Sequence, residues 1–293
     1  MIIAKFPSKV FLPQAEKPYP SIVDFLKKRF PLIPEQKWIE RIDRGLVLFK
    51  NGEKIKQDSL YTPLSTLLYY KTADRESIVP FYEKIIYSNE NLIVVSKPHF
   101  LPVMSAGKYI NENLLTRLKD KTGNHDIVPV HRIDRETCGI VLFSASKKTR
   151  GIYQSLFMQK KVEKTYYAIA ESNSCLPCED LLIQSRIVRG EPWFRMKQVK
   201  GEINARTIVR PVKEKNGKTL FRVTPLTGKK HQIRIHLSSI GCKIINDRLY
   251  PDLLPEKAPD FQHPLKLQSK RLKFSDPVTG ERFEFISHDH INF

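Results

Sequence analysis

Two different spacings of apolar positions occur along this chain, and the first of them is helical. After residue 21, apolar side chains recur every three or four positions, as they do on the buried face of a helix. The apolar positions in this stretch are Ile22, Phe25, Leu26 and Phe30. Ser21 and Asp24 have the spacing of a capping box, which marks a helix N-terminus. The pattern predicts a helix that begins directly after Ser21.

A second helix and a hairpin are predicted to follow. Pro34 suits the first turn of a helix, and Gly45 would end that helix in a left-handed conformation. Residues 46–49 are apolar and strand-like, and Asn51-Gly52 is a strong signal for a tight turn. This region is therefore predicted to hold two short helices and a hairpin.

Beyond residue 80 the apolar pattern changes to that of strands. Short apolar or alternating runs are bounded by turn residues, as strands commonly are. These runs cover residues 140–143, 163–170, 206–210 and 219–223. Asn216-Gly217 between the last two runs predicts a hairpin. Residues 226–237 begin as a glycine turn and then take the pattern of a short amphipathic helix.

The composition adds a strong positive charge to this pattern. The 293 residues include 50 Lys and Arg against 31 Asp and Glu, a net charge of +19. From Trp193 to Arg234 the chain has 12 basic and 2 acidic residues, a net of +10 within 42 residues, whereas residues 1–80 carry only +5. Lysines often only guard a sheet edge, but this density favours a phosphate backbone as partner. Nucleic acid is therefore the first candidate ligand.

The chain shows no sign of membrane insertion or secretion. No apolar run approaches the roughly 18 residues that a membrane helix needs. The N-terminal residues lack the long apolar stretch of a secretory signal. We expect a cytoplasmic protein without a membrane partner.

The most informative group of charged residues surrounds Asp134. Arg132 and Arg135 flank it and would favour its ionised form. The apolar run from Ile140 to Phe143 follows at once, with the length of a buried strand. The residues alone allow two interpretations, an anionic carboxylate at the entrance to a core strand or a surface cluster of salt bridges.

The four cysteines agree with a reducing compartment. Cys138, Cys175, Cys178 and Cys242 are too few and too irregularly spaced for a disulfide framework. Cys175 and Cys178 form a lone CxxC, whereas a structural zinc site needs four ligands. We expect a turn with two incidental thiols there and no metal.

An ordered set of motifs resembles the RluA-type pseudouridine synthases. Residues 131–139, His-Arg-Ile-Asp-Arg-Glu-Thr-Cys-Gly, resemble the family's catalytic motif His-Arg-Leu-Asp-Arg-x-Thr-Ser-Gly. Residues 164–168 contain the family's Lys-x-Tyr-x-Ala pattern. Residues 226–237 resemble its Leu-Thr-Gly-Arg-x-His-Gln-Ile-Arg-x-His-Leu motif, with Lys229 in place of Arg. Weaker likenesses extend the similarity over roughly residues 84–286. They lie at 91–98, which ends in the family's Lys-Pro pair, at 241–250, where Lys243 and Asn246 replace the family's Pro and Gly, and at 267–274.

The resemblance implies both a fold and a reaction. It implies an α+β catalytic domain over residues 81–293, with a largely antiparallel mixed sheet, that isomerises specific uridines in structured ribosomal or transfer RNA to pseudouridine. It assigns catalysis to Asp134, Tyr166 and Arg234, with Arg234 paired to the Asp134 carboxylate. It implies RNA contacts by Arg132, Arg135, Lys229, Lys230, His231 and Gln232. Neither cofactor nor metal is expected, because the reaction involves no redox change or hydrolysis, and we expect a monomer.

Residues 1–80 resemble, in part, an S4 RNA-binding module. The two predicted helices are followed by Gly-x-Val-x-x-x-Asn-Gly at residues 45–52, as in that module. The Ser-Arg pair that usually opens the second helix is replaced by Pro34-Glu35-Gln36, which would weaken a phosphate-binding surface. An S4-like module and a small scaffold domain that does not bind RNA both remain open.

Two other functions remain compatible with the residues. One is a non-catalytic RNA- or ribosome-binding protein, which the basic strands fit equally well. The other is a metal-dependent nuclease built on His131, Asp134 and His231, although it lacks an acidic cluster to hold a metal. The complete set of Asp134, Tyr166 and Arg234 favours the synthase over both.

Overall fold

The computed structural model of the protein describes residues 1–172 and 179–293. These residues form two compact units, one of Met1–Ser77 with Ala106–Asn111 and the other of Ile78–Ser105 with Glu112–Phe293. The predicted turn with Cys175 and Cys178 lies outside the described residues. Over the described ranges, none of the helices has the length and apolar character needed to span a bilayer.

The first unit combines two helices with short strands. Its elements are β1 (Ile2–Ile3), β2 (Ser8–Phe11), α1 (Ile22–Arg29), α2 (Glu35–Asp43), β3 (Val47–Phe49), β4 (Thr66–Tyr69) and β5 (Thr72–Ala73). The strands pair as an antiparallel sheet in the order β2-β4-β3 and as a separate pair β1-β5. Its apolar core surrounds Trp38, which is fully buried, because both helices turn their periodic apolar faces inward.

The predictions for this unit are confirmed at the level of local structure. Ser21 caps α1, since its side-chain oxygen accepts a hydrogen bond from the Asp24 amide at 3.1 Å. Gly45 follows α2 with a left-handed φ of +65°. Pro34 lies one position earlier than predicted, at the N-cap of α2.

The second unit is built on one large sheet. Its strands among the described residues are β6 (Lys84–Ser88), β7 (Leu92–Lys97), β8 (Val128–Pro129), β9 (Cys138–Ser144), β10 (Glu163–Glu171), β11 (Leu181–Arg189), β12 (Met196–Val199), β13 (Ala205–Lys215), β14 (Lys218–Pro225), β15 (Leu267–Ser275) and β16 (Arg282–Ile286). Nine of them follow the order β12-β11-β13-β14-β10-β15-β9-β7-β6, with β16 beside β15 and β8 beside β9. Among these strands only β9 and β15 pair in parallel. The predicted α+β class with a largely antiparallel mixed sheet is confirmed.

In the described part of this unit, three helices accompany the sheet, namely α3 (Leu114–Thr122), α4 (Arg150–Met158) and α5 (Gln232–Ser239). Tyr153 and Leu156 of α4 pack in one apolar cluster with β7, β9, β15 and β16. Ile233 and Leu237 of α5 pack in another with β10, β11, β13 and β14. The predicted hairpin is confirmed as β13 and β14, and Asn216 and Gly217 both have the positive φ that such a tight turn requires.

The prediction of an amphipathic helix in residues 226–237 is wrong in one respect. All six residues from Gln232 to Leu237 are buried, so α5 has no solvated face along this length. The polar members, Gln232, Arg234 and His236, are hydrogen-bonded inside the protein. Buried polar side chains of this kind need partners, and these partners come from distant segments that periodicity does not reveal.

Candidate active site

The segment with Asp134 is placed by a close approach of two strands. Gly139 of β9 pairs with Ser269 of β15, and Ser269 pairs on its other side with Tyr166 of β10. A Cβ atom on Gly139 would overlap the carbonyl oxygen of Ser269, and its φ of +105° is strained for any other residue. The glycine therefore lets β9 and β15 meet, and this brings the Asp134 loop to the strand that carries Tyr166.

Asp134 lies at the end of this loop, close to two residues of the α5 region. Its side chain is 24% exposed, so it can meet a ligand. Nη1 of Arg234 lies 3.6 Å from one carboxylate oxygen, and Nε2 of His231 lies 3.9 Å from the other. The structure thus brings Asp134 and Arg234 together as the resemblance implies.

Arg234 is held in place by a second carboxylate, that of Asp247. Nε and Nη2 of the buried guanidinium donate to the two Asp247 oxygens at 2.8 and 2.6 Å. Burial alone would lower the pKa of Arg234, but the hydrogen bond and charge of Asp247, with the charge of Asp134, raise it. Within the described residues, Nη1 has no hydrogen-bond partner. The bidentate ion pair with Asp247 thus fixes the guanidinium and leaves Nη1 as the nitrogen nearest to Asp134.

Asp247 was not predicted as a site residue. The residue before it, Asn246, helps to set the conformation of the loop that carries it. Asn246 stands where the resembled motif has glycine, and it adopts the left-handed conformation that glycine would, with a φ of +65°. Asparagine tolerates this conformation better than most residues. Its amide also donates to the Pro264 carbonyl at 2.9 Å. The loop is therefore stabilised despite the substitution.

His231 is a neutral ring fixed by Tyr250. Burial lowers the pKa of His231 to about 4, against the opposing effect of Asp134. The Tyr250 hydroxyl accepts from the Met196 amide at 2.8 Å and lies 2.8 Å from Nδ1 of His231. We therefore assign the Tyr250 hydroxyl as the donor and Nδ1 of His231 as the acceptor of this hydrogen bond. The ring proton of His231 then lies on Nε2, which faces Asp134.

Tyr166 presents a half-buried phenol to the same region. Burial raises the pKa of Tyr166 to about 12, and the negative charge of Asp134 contributes to the rise. The phenol is therefore protonated at neutral pH. Its ring also packs against the α5 cluster, so its position is set by the core.

The predicted RNA contacts divide into accessible and internal residues. Arg132 and Lys229 are exposed. Arg135 is half-buried, and its guanidinium pairs with the Glu136 carboxylate at 2.6 Å. Lys230 is exposed, and its ammonium donates to the Phe194 carbonyl at 2.8 Å.

Gln232 was predicted to contact RNA, but its side-chain amide is engaged in hydrogen bonds inside the protein. Its side-chain oxygen accepts from the Thr227 hydroxyl and the Lys229 amide, and its nitrogen donates to the Arg206 carbonyl and the Thr207 hydroxyl. All four hydrogen-bonding positions of the amide are used. The residue ties the glycine turn to β13, and sequence alone could not show that its partners lie there.

The structure also separates the residues of the predicted nuclease alternative. His131 stacks on Phe157 with ring centres 4.5 Å apart, and its Nε2 accepts from the Leu142 amide at 3.1 Å. Burial lowers the pKa of His131 to about 3. Over the described ranges, no three His, Cys, Asp or Glu side chains come together as metal ligands. His131 therefore packs behind the loop and does not join His231 beside Asp134.

Lys97 is a buried residue near the site that was not singled out from the sequence. Its ammonium donates to the carbonyls of Pro98, Leu101 and Arg135 at 2.7 to 3.0 Å. Burial lowers the pKa of Lys97 to about 7. The contact with Arg135 joins β7 directly to the residue after Asp134. Lys97 and Pro98 belong to the family likeness at residues 91–98, but the role of Lys97 depends on tertiary contacts that the sequence does not show.

Comparisons with known proteins identify the family of this chain. The family model described as RNA pseudouridylate synthase matches residues 91–239. The chain is 28% identical over 214 residues to the dual-specificity RNA pseudouridine synthase RluA of Haemophilus influenzae, covering 70% of this chain and 92% of that protein. It is 27% identical over 224 residues to the tRNA pseudouridine synthase C of Vibrio parahaemolyticus, covering 70% and 89%. The solved structure of human RNA pseudouridylate synthase domain containing 4 is similar with a TM-score of 0.55 and 25% identity, over 69% of this chain and 87% of that one.

Proposed function

Because this chain belongs to the RNA pseudouridylate synthase family and is an RNA pseudouridine synthase, we propose that Asp134, Tyr166 and Arg234 carry out the isomerisation. The observation that supports this most is the arrangement of Arg234. Two of its nitrogens are fixed by Asp247, and the third lies 3.6 Å from Asp134. The alternative of a non-catalytic RNA-binding protein is not supported, since the relatives are enzymes.

The reaction sets a clear task for each of these side chains. The bond between N1 and C1′ of uridine breaks, the uracil turns, and C5 joins C1′, while C5 loses a proton and N1 gains one. A stacked uridine must first leave its helix, at a cost of about a few kcal/mol. Asp134 either attacks C1′ or removes the proton at C2′. Both routes need a carboxylate that the substrate can reach, which the partly exposed side chain of Asp134 provides.

Arg234 and Tyr166 support this carboxylate in different ways. The guanidinium of Arg234 supplies a fixed positive charge, and its orientation is already determined before substrate binds. Tyr166 offers an aromatic face on which uracil can stack. With a pKa of about 12 the phenol is protonated, so its oxygen can take up the C5 proton only as it passes its own proton to an acceptor, for which we propose the Asp134 carboxylate.

We propose structured ribosomal or transfer RNA as the substrate. One relative is named as a tRNA enzyme and another as a dual-specificity RNA enzyme. Arg132, Arg135, Lys229 and Lys230 are proposed to contact the RNA near the site, with His231 beside the carboxylate. The basic hairpin of β13 and β14 is proposed to follow the phosphate backbone.

Residues 1–80 are proposed as an S4-like RNA-binding module joined to the catalytic domain of residues 81–293. Support comes from α1 and α2 followed by β3, and from the exposed Lys27, Lys28 and Arg29 in the last turn of α1. We propose further that the protein acts as a monomer in the cytoplasm.

The proposed function is tested by release of the hydrogen from C5. RNA labelled with tritium at C5 of uridine should release label to water in the presence of the purified protein and a chelator. Pseudouridine has the same mass as uridine, so this release reports the reaction where ordinary mass measurement does not. A protein that only binds RNA releases nothing, and a nuclease shortens the strand while the label stays on the base.

Whole ribosomal RNA, whole transfer RNA and assembly intermediates should be compared as substrates. We expect release from at least one of them. Absence of release from all three with folded wild-type protein would refute the proposed function.

A further inference from the structure

A tryptophan lies exposed at the tip of the turn between β11 and β12. Trp193 is 60% exposed, whereas the chain's other tryptophan, Trp38, is fully buried. An indole is among the largest apolar side chains, and at this exposure its aromatic ring is open to a ligand. The reaction described above gives Trp193 no task.

The turn that carries Trp193 is fixed in position. The Arg195 amide donates to the Pro192 carbonyl at 2.8 Å, and the Gly190 amide donates to the Arg195 carbonyl at 3.0 Å. The ring of Phe194 meets that of Trp193 edge to face, with centres 5.9 Å apart. The indole is therefore presented on an ordered turn, which reduces the entropic cost of binding a ligand.

A short series of contacts joins this turn to Asp134. The Met196 amide donates to the Tyr250 hydroxyl, which holds His231, and His231 lies 3.9 Å from Asp134. On the same side, the ammonium of Lys230 donates to the Phe194 carbonyl and lies 6.0 Å from the centre of the Trp193 ring. The turn and the catalytic carboxylate are thus parts of one connected structure.

Lys230, the cation beside the indole, lies among further charged side chains. Burial lowers the pKa of Lys230, and the nearby charges of Arg189, Arg234 and Arg132 add to this effect, while Asp134 opposes it. Lys230 is therefore close enough to interact with the carboxylate and with three arginines. An aromatic face bordered by cations is the arrangement with which proteins bind single-stranded nucleic acid, the ring stacking on a base and the cations meeting phosphates.

We propose that Trp193 is a stacking platform for an unpaired nucleobase adjacent to the target uridine, with Lys230 beside the phosphate of that nucleotide. This proposal rests on the proposed function and narrows its substrate class. A base can stack on the indole only if it is not stacked in a helix. The substrate is then an RNA in which the uridine lies in a loop or bulge with at least one unpaired neighbour.

Tryptophan fluorescence provides a direct test, because the two tryptophans differ in exposure. The probe is a stem–loop RNA with a single uridine in its loop, compared with the same uridine in a fully paired duplex. At saturation, the stem–loop should quench the emission of wild-type protein, and the duplex should quench it less. Trp193→Phe keeps only the buried Trp38, so its emission should be unaffected. Unchanged wild-type emission at saturation, with binding verified by anisotropy of labelled RNA, would overturn the proposal.

Kinetics on the stem–loop supply the second readout. A base stacked on an aromatic ring contributes roughly 5- to 150-fold in affinity. Trp193→Ala should therefore raise KM for tritium release by a factor in this range while kcat stays within about two-fold. Trp193→Phe retains a ring and should stay near wild type.

Tyr82→Ala is the matched control, because Tyr82 is an aromatic residue 83% exposed in the same unit. It should leave KM and kcat unchanged. If Trp193→Ala behaves like Tyr82→Ala, the platform is refuted while the enzyme activity stands. If wild-type protein releases no tritium from any RNA, the proposed function itself fails.

Discussion

The guanidinium of Arg234 lies between two carboxylates that differ in burial and in partners. Asp247 is buried and accepts from Arg234 as well as from the amides of Leu249 and Tyr250. Asp134 is partly exposed, with Arg234 at 3.6 Å and His231 at 3.9 Å from its carboxylate oxygens. One carboxylate is thus part of the scaffold, and the other is accessible to substrate.

Asp134→Asn should abolish tritium release while RNA affinity stays within a few-fold. The amide keeps the shape of the side chain but lacks the negative charge needed for attack or proton removal. Release and binding are measured on the same preparation. Asp260→Asn, at an exposed carboxylate paired with His263, is the control and should remain active. Turnover retained in Asp134→Asn would refute its catalytic role.

Asp247→Asn should impair both stability and turnover. Breaking a buried charge pair costs about 3–5 kcal/mol, because the remaining charge is left uncompensated. The comparison is Asp180→Asn, which removes the exposed pair with Arg210 and should cost no more than about 1 kcal/mol. Denaturant unfolding measures both. An equal, small loss in the two variants would show that the pair does not fix Arg234.

The shifted pKa values of Tyr166 and His231 lead to a prediction for the pH profile of the reaction. The raised pKa of Tyr166, about 12, keeps its phenol protonated until pH approaches that value. The lowered pKa of His231, about 4, keeps its ring neutral until pH falls to that value. Neither group should therefore cause an inflection in the rate of tritium release between about pH 6 and 9.

Two variants separate the contributions to that profile. Tyr166→Phe should slow release without changing the shape of the profile if the phenol oxygen helps remove the C5 proton, and should leave the rate intact if the ring only stacks. An inflection near the ordinary histidine value of about 6.5 that disappears in His231→Gln would contradict the neutral state of His231.

Sequence motifs predicted the central residues of the site and missed those that hold them. Asp134 and Arg234 were expected to pair, and they lie together. Arg135 was expected to contact RNA, and the motif did not indicate that its guanidinium also pairs with Glu136. Asp247 and Lys97 act through contacts that form only when distant strands meet, so a local pattern could not reveal their roles.

At the scale of elements, the sequence predicted strands well but did not indicate their order in the sheet. The runs at 140–143 and 163–170 became β9 and β10, because apolar runs and β-branched or aromatic residues determine strands locally. Which strands lie side by side depends on long-range packing. No local signal indicated that β15 separates β9 from β10, or that its pairing with β9 is parallel.

The hairpin of β13 and β14 should supply much of the salt-dependent RNA affinity. Lys213 and Lys215 are exposed and Lys218 is half-buried near its turn. Neutralising all three to Gln should lower the slope of log affinity against log salt by about one for each phosphate that the variant no longer binds. Glu214→Gln on the same hairpin is the control and should not lower the slope. An unchanged slope in the triple variant would show that the hairpin does not contact RNA.

At the scale of the whole molecule, positive charge is most concentrated from Trp193 to Arg234, which carry a net +10 within 42 residues. Residues 1–80 carry +5 of the total +19. Neutralising Lys27, Lys28 and Arg29 of α1 removes as many charges as the hairpin variant does. We expect a smaller change in the salt slope, because the resembled phosphate-binding pair is missing from α2. A change as large as that of the hairpin would show that the S4-like module is a major RNA-binding surface.

The position of β15 has a consequence for how the enzyme matures during translation. Of the described strands, only β16 is synthesised later, yet β15 lies between β9 and β10 and fills the gap between them. Asp134 and Tyr166 therefore leave the ribosome well before the strand that aligns them. Pairings of such large sequence separation form late and slowly. A nascent chain has no assembled site, and we expect it to be inactive toward the ribosomal RNA beside it until β15 has emerged and inserted.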